Sequence, residues 1–411
     1  MSEIRVTSVL GENGSDPVGL STGFTVGPTS GTTATITHEG QASFTGIVTA
    51  TTFVPTVGQL SHRNIIINGA MNVSQRATSF ATVASGTYTL DRMRYHENID
   101  SGVVTITQES VTDLPSFAKA IKINCTTAET GVPAKAGSKF VALSHFLEGQ
   151  DLQQLAYGTS SAKQITLSFY VKSNITGTFC VSIYKPDQTA RNVSLGYTIN
   201  SANTWERKTL TFPADTGGGG IDNDNGSGLQ FYFVLARQQG YQGTASTTWG
   251  NNTDARFANL CTATIFENTN DHIMFTGVQL EVGPVATPFE HRSYGDELSR
   301  CQRYYQRQAG SSDAYIQPGK GQGTTAIDAG YALAVPLRAE PTVACASNRV
   351  FKHNGFSNST TAPSVIHWSA TNSPYSSVIA LRFSGHSSIT SNYVCAWCPT
   401  FGSVLTLDAE L

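Results

Sequence analysis

Apolar residues in this chain recur mostly at every second position, in short runs closed by Gly, Asn or Pro. Successive side chains of a strand point to opposite faces, so such runs read as strands with one apolar face. The clearest are Val103-Val104-Thr105-Ile106-Thr107, Gln164 to Val171, Phe179 to Tyr184, Arg207 to Phe212, Leu229 to Leu235 and His272 to Leu280. Strands with one apolar face bury it by pairing two sheets face to face. The pattern therefore predicts an all-β fold: a jelly-roll β-sandwich over residues 61–292.

Before it, residues 1–60 are rich in Gly, Thr and Ser. Gly23 to Gly27 and Ala42 to Thr51 keep the alternation, yet the segment is too thin for a core of its own. It reads as an extended N-terminal β arm completed by neighbouring copies, with a flexible leader as the other reading. After the sandwich, Asp296 to Arg307 carries the one good helical signal. Leu298, Cys301 and Tyr305 share a stripe, with acids first and arginines later, as a helix dipole favours. Gly310 can stop it. Residues 311–411 return to strands at Tyr331 to Leu337, Ser377 to Phe383 and Tyr393 to Trp397, which gives a smaller C-terminal β domain over 293–411. No sustained heptad predicts a coiled-coil shaft.

Composition narrows the function. Charged residues make up 13% of 411, and the formal net charge is −3. Clustered Lys and Arg are what counterion release on DNA requires, and no such stripe occurs, so no nucleic-acid partner is expected. No apolar run approaches the ~20 residues that span a bilayer. No signal peptide is expected at the amino terminus, and the seven Cys read as buried, reduced thiols of a protein assembled in a cytoplasm.

The motifs that might carry chemistry fail on spacing. Cys395-Ala-Trp-Cys398 has no second pair to complete a zinc site, and on a strand an i, i+3 pair faces opposite ways. Asp222-Asn223-Asp224-Asn225-Gly226 hints at a calcium loop, but counted from Asp222 the sixth position is not Gly and the twelfth is Phe233. It reads as a polar turn. No HExxH, phosphate loop or nucleophile elbow occurs. No catalytic residue, cofactor or metal is assigned and no enzyme is expected, although two suitably spaced carboxylates of a glycosidase would leave no sequence signature. The sharper candidate is sugar binding. Sugars present hydroxyls and apolar ring faces, and Gln238 to Gly243 with Trp249-Gly250-Asn251-Asn252 combines aromatics and amides on a loop. Tyr241, Trp249 and Asn251 are the candidate glycan-binding residues. The competing reading has Trp249 plugging the end of the sandwich.

Two segments carry a family resemblance. Asn64 to Arg76 followed by Tyr88-Thr89-Leu90-Asp91-Arg92-Met93 resembles the opening of receptor-binding domains in bacteriophage tail fibres. Val278 to Gly283 with Ala286 to Tyr294 resembles the closing of that domain, and Cys301-Gln302-Arg303-Tyr304-Tyr305 the helix that follows it. The Thr-rich leader is similar to stretches in structural proteins of marine phages. Read physically, Asn68-Gly69 is a turn, Asp91 and Arg92 form an ion pair near a sheet edge, and Pro288 and Phe289 end and pin the last strand.

The resemblance implies a homotrimeric virion fibre. Residues 1–60 would attach to a phage tail or capsid protein, and the distal parts would bind a host cell-surface glycan. Leu298, Tyr304 and Tyr305 are then the expected trimer contacts near a threefold axis. The alternatives are a capsid-decorating fibre and a tailspike-like glycan depolymerase.

Overall fold

The computed structural model describes residues 62–411 apart from 242, 244–246, 310–316, 353–354, 362, 368–377, 392 and 400–402, together with the backbone of three short strands before them. Those strands, β1 (Phe24–Val26), β2 (Ala34–Ile36) and β3 (Ala42–Phe44), pair antiparallel in chain order. They belong to one unit, Met1–Thr56. The rest of the expected arm lies outside the described residues.

The second unit is Val57–Leu411. Its first part holds β4 (Ser79–Phe80), β5 (Arg94–Glu97), β6 (Val103–Ser110), β7 (Lys119–Thr127), β8 (Phe140–Glu148), β9 (Ile165–Ser173), β10 (Gly177–Lys185), β11 (Arg191–Ile199), β12 (Glu206–Phe212), β13 (Ser227–Arg237), β14 (Gly250–Asn251) and β15 (His272–Val282). They form two antiparallel six-stranded sheets, ordered β14-β11-β10-β13-β8-β5 and β12-β9-β15-β7-β6-β4. The chain crosses repeatedly between the sheets, as in a jelly-roll sandwich. The inner faces meet in an aromatic core: Phe169 of β9 lies 5.3 Å from Phe233 of β13 and 6.0 Å from Phe275 of β15, ring to ring. The six sandwich strands read from alternation are all present.

Helix α1 (Tyr294–Gln302) follows, capped by Ser293, whose Oγ accepts from the Asp296 amide at 3.2 Å. It is shorter than the expected Asp296–Arg307. The chain leaves the helix after Gln302 because Tyr305 and the residues after it enter β16 (Tyr305–Ala309). The remaining strands are β17 (Gln317–Gln322), β18 (Ala326–Ala332), β19 (Thr342–Cys345), β20 (Asn348–Lys352), β21 (Gly355–Ser359), β22 (Ser364–His367), β23 (Val378–Phe383), β24 (Val394–Pro399) and β25 (Val404–Asp408). They build a three-stranded sheet, β16-β25-β19, and a seven-stranded sheet, β21-β20-β24-β17-β18-β23-β22. Of the later runs, Tyr331 to Leu337 is strand only at Tyr331-Ala332, where β18 ends, and Leu333 to Leu337 belong to the segment that joins β18 to β19. Trp397, fully buried, stacks on Phe383 at 4.1 Å in the second core.

Side chains join the C-terminal sheets to the sandwich. Arg303 makes a two-pronged pair with the buried Glu148 carboxylate of β8, 2.8 Å on each prong. Arg338 donates to carbonyls of Asn225, Ala409 and Glu410 at 2.6–2.9 Å. The Arg76 guanidinium lies over the Tyr305 ring at 3.7 Å and reaches Asp408 at 3.0 Å. The expected Asp91–Arg92 ion pair does not form. Asp91 accepts instead from the Gln75 amide and side chain, both at 2.6 Å. Arg92 adopts a positive φ of 68° in a tight turn closed by the Met93 amide on Leu90 O, and that turn aims it away toward Glu410.

The Asn68-Gly69 turn is where sequence placed it. Asn68 has φ 61°, and its side chain bonds Val73 through both its amide and its carbonyl. Gly69 passes so close to β15 that an added Cβ would sit 2.0 Å from the Val278 carbonyl oxygen. Side-chain bulk is excluded there. Phe289 packs against Phe117 at 5.2 Å, and the Gln279 side chain holds Pro288 O and the Glu290 amide.

Candidate functional site: an aromatic pocket on the sandwich face

The outer face of the first sheet carries aromatic residues at register-matched positions. Tyr232 of β13 lies between Ser182 of β10 and Ser144 of β8, and Tyr184 stands opposite Gln230. The Tyr232 hydroxyl donates to Gln230 Oε1 at 2.6 Å. At the start of β8, the Phe140 ring stacks on His96 of β5, with centroids 4.5 Å apart and planes 17° from parallel.

A covering segment completes the pocket. Its path is fixed by the Asn252 amide on Ala190 O at 2.9 Å, by Asn192 on the Asn252 side chain at 2.6 Å, and by the Ala258 amide on Ser182 Oγ at 3.0 Å. Phe257 thereby lands 4.8 Å from Phe140 and 5.1 Å from Tyr232, and Tyr241 lies 5.3 Å from Phe140. Together with Tyr184, Asn252 and Asp254 these rings line an open pocket of about 170 Å³.

The pocket is apolar with hydroxyls at its rim. Burial, helped by the Asp254 charge, pushes the Tyr241 phenol up to about 12. Burial also moves Tyr232 to about 12. Both stay protonated at neutral pH and can donate and accept. Burial, then the Arg94 charge, lowers the pKa of His96, so its ring stacks as a neutral plate. Asp254 supplies the carboxylate on the lining.

The sequence candidates divide. Tyr241 lines the pocket. Trp249 does not: the indole is 9% exposed, its Nε1 donates to Pro213 O at 2.8 Å, and its ring meets Tyr157 edge-on at 5.7 Å. It plugs the sandwich instead of facing a ligand. Asn251 is exposed on β14, opposite Arg191, and the next residue, Asn252, is the one that reaches the pocket. Gln242, within the same loop, lies outside the described residues. Phe140, Tyr184, Tyr232, Asp254 and Phe257 were missed. A signal existed for two of them, because Tyr184 and Tyr232 occupy the outward phase of strands whose inward phase is aliphatic or Phe.

The expected trimer contacts also change. Tyr304 is buried within the chain beneath the Arg92 guanidinium, 3.5 Å from its ring, and Tyr305 beneath Arg76. Neither is presented to another copy. Leu298 is partly exposed and packs on a small cluster with Ile67, Val73, Cys301 and Tyr304. In the Asp222–Gly226 turn, Asp222 Oδ1 accepts from Gln188 at 2.8 Å and Asp224 Oδ1 from the Gly226 amide at 2.8 Å, as in an ordinary polar turn.

No family model matches the chain, and no curated protein matches it. Among solved structures it is similar to the enzymatically active domain of tailspike protein 4 from bacteriophage CBA120, at 13% identity and a TM-score of 0.30, covering 53% of this chain and 21% of that one. It is also similar to a family 11 carbohydrate-binding module from Clostridium thermocellum, at 11% identity and a TM-score of 0.26, covering 52% and 98%. A xylan-binding domain from Paenibacillus barcinonensis gives 9% identity and a TM-score of 0.23, covering 52% and 98%. At these scores the likeness is too slight to carry a function across.

Proposed function

We propose that this chain is a non-enzymatic, glycan-binding fibre protein of a virus particle. The observation that carries the glycan reading is the fixed pocket of Phe140, Tyr184, Tyr232, Tyr241 and Phe257 with Asn252 and Asp254 at its rim. Stacked rings accept the apolar face of a sugar, while phenol, amide and carboxylate groups bond its hydroxyls. A volume of about 170 Å³ is below the ~300–1,000 Å³ of pockets that enclose whole small-molecule ligands. It suits one ring of a longer saccharide.

A single small pocket binds weakly. The fibre reading supplies what is missing: a homotrimer attached to a phage tail or capsid through residues 1–60 repeats the site, and repetition raises effective concentration without new contacts. The resemblance of Asn64–Met93 and Val278–Tyr294 to tail-fibre segments supports that part. With Tyr304 and Tyr305 inside the chain, trimer contacts fall to surface groups such as Leu298.

The test is a glycan array probed with the full chain, beside light scattering for mass. Selective capture of surface glycans that Tyr184→Ala reduces, at three times the mass of one chain, is the expected result. A blank array overturns the glycan reading, and a monomer overturns the fibre. Release of reducing ends from a captured polysaccharide overturns the non-enzymatic part.

A further inference from the structure

A second and larger concavity lies apart from the aromatic pocket. It is a cleft of about 730 Å³ where α1 and the segment joining β18 to β19 face the sandwich, and its walls include Gln150, Asp151, Asn225, Arg300, Arg303 and Arg338. Val335, Pro336 and Leu337 give it an apolar strip.

The walls are rigid. Gln306 clamps the β18–β19 segment, donating to Val335 O at 2.7 Å and accepting from the Ala334 amide at 3.0 Å. The Arg338 amide bonds Arg303 O at 2.9 Å. A preformed cleft does not lose binding energy to ordering its own walls.

The three guanidinium groups are not equivalent. Arg303 is matched by Glu148. Arg300 faces Asp296, which also lines the cleft, at 3.4 Å, one helical turn away, with both side chains partly in solvent. Such a pair is weak and easily exchanged. Arg338 donates only to backbone carbonyls, and no carboxylate among the described residues pairs with it. Burial lowers its pKa, with the Glu148 charge acting in the opposite direction. On the facing side the exposed Asp151 carboxyl offers oxygens that accept from a sugar hydroxyl. A fixed guanidinium without a carboxylate, a second one loosely held, amides and an apolar strip describe a receptor for an acidic carbohydrate.

We propose that this cleft is a second saccharide site that takes a carboxylated sugar, with Arg338 and Arg300 on its carboxylate and Gln150, Asp151 and Asn225 on its hydroxyls. This rests on the reading of the chain as a glycan binder, but involves different residues and a different ligand class.

The experiment is calorimetric titration of the full chain with oligogalacturonate, with oligoglucuronate, and with the carboxyl-reduced neutral form of each. At least one acidic oligomer is expected to bind, with affinity falling as salt rises. Its reduced form should bind at least ~10-fold more weakly, as should Arg300→Gln, since a charge-assisted bond is lost. Arg300 is partly exposed, so this variant tests the cleft without threatening the fold. Tyr184→Ala should leave that binding unchanged. Equal affinity for acidic and reduced oligomers, binding insensitive to Arg300→Gln, or no binding of either acidic oligomer overturns the cleft proposal. If neutral glycans still bind in a Tyr184-dependent way, the aromatic pocket survives; if no saccharide of any kind binds, both readings fall.

Discussion

Arg92 and Glu410, 318 positions apart, form a buried ion pair in the seam between the sandwich and the C-terminal sheets. The Arg92 side chain is 1% exposed and that of Glu410 4%. The guanidinium lies on the Tyr304 ring and also donates to Phe146 O. Two charges removed from water are tolerated because each has the other, and removing one strands its partner. Glu410→Ala is therefore expected to lower unfolding free energy by roughly 3–5 kcal/mol, while Glu410→Ala with Arg92→Met should recover much of the loss. Urea denaturation of the single and double variants measures both.

His145 of β8 is fully buried near the same arginine. Burial, then the Arg92 charge, drives its pKa well below the free value of 6.5. An unfolded His takes up a proton below about pH 6.5, whereas the folded one does not until a much lower pH. The unfolded state thus binds more protons across that window, and stability falls as pH falls, by up to ~1.4 kcal/mol per pH unit. Urea midpoints from pH 7.5 to 5.5 should decline in the native chain and decline less steeply in His145→Leu, where the lowered pKa of His96 still contributes.

Gly69 approaches the Val278 carbonyl too closely for a side chain. Because that oxygen is backbone of a central strand, it cannot swing aside. Gly69→Ala is expected to cost about 1–3 kcal/mol. Thermal melting of the variant checks it.

Trp249 separates a plug from a ligand contact. Trp249→Phe keeps most of the ring but removes the bond to Pro213 O. It should cost about 1 kcal/mol in stability and leave glycan affinity as it was. Paired denaturation and titration measurements test the two halves.

The sandwich was legible because its strands alternate cleanly. Strand β8 was not, since all nine residues of Phe140–Glu148 are buried. Its outer face lies under aromatic neighbours, and a run buried on both faces loses its period. Tyr304 and Tyr305 were misread for a different reason. Leu298, Cys301 and Tyr305 stand at helical spacing in the sequence, but the helix ends at Gln302 and Tyr305 pairs in register with Asp408, and no local pattern announces a partner so far along the chain. The same holds for Arg92, whose counter-charge is remote while Asp91 stands beside it in sequence. At the pocket, the loop was found through its aromatics and amides. A one-residue phase separates Asn252, which lines the cavity, from Asn251, which does not, while Trp249 is drawn away from the cavity that Tyr241 lines by contacts with Pro213 and Tyr157 that are remote in sequence.

The most direct measurement is calorimetric affinity for an array-selected neutral oligosaccharide in three proteins: the native chain, Tyr184→Ala, and Trp205→Ala, whose indole lies away from the pocket and donates to Asp113 at 2.9 Å. The account predicts a loss of about tenfold or more for Tyr184→Ala and native affinity for Trp205→Ala. Native affinity in Tyr184→Ala would contradict it.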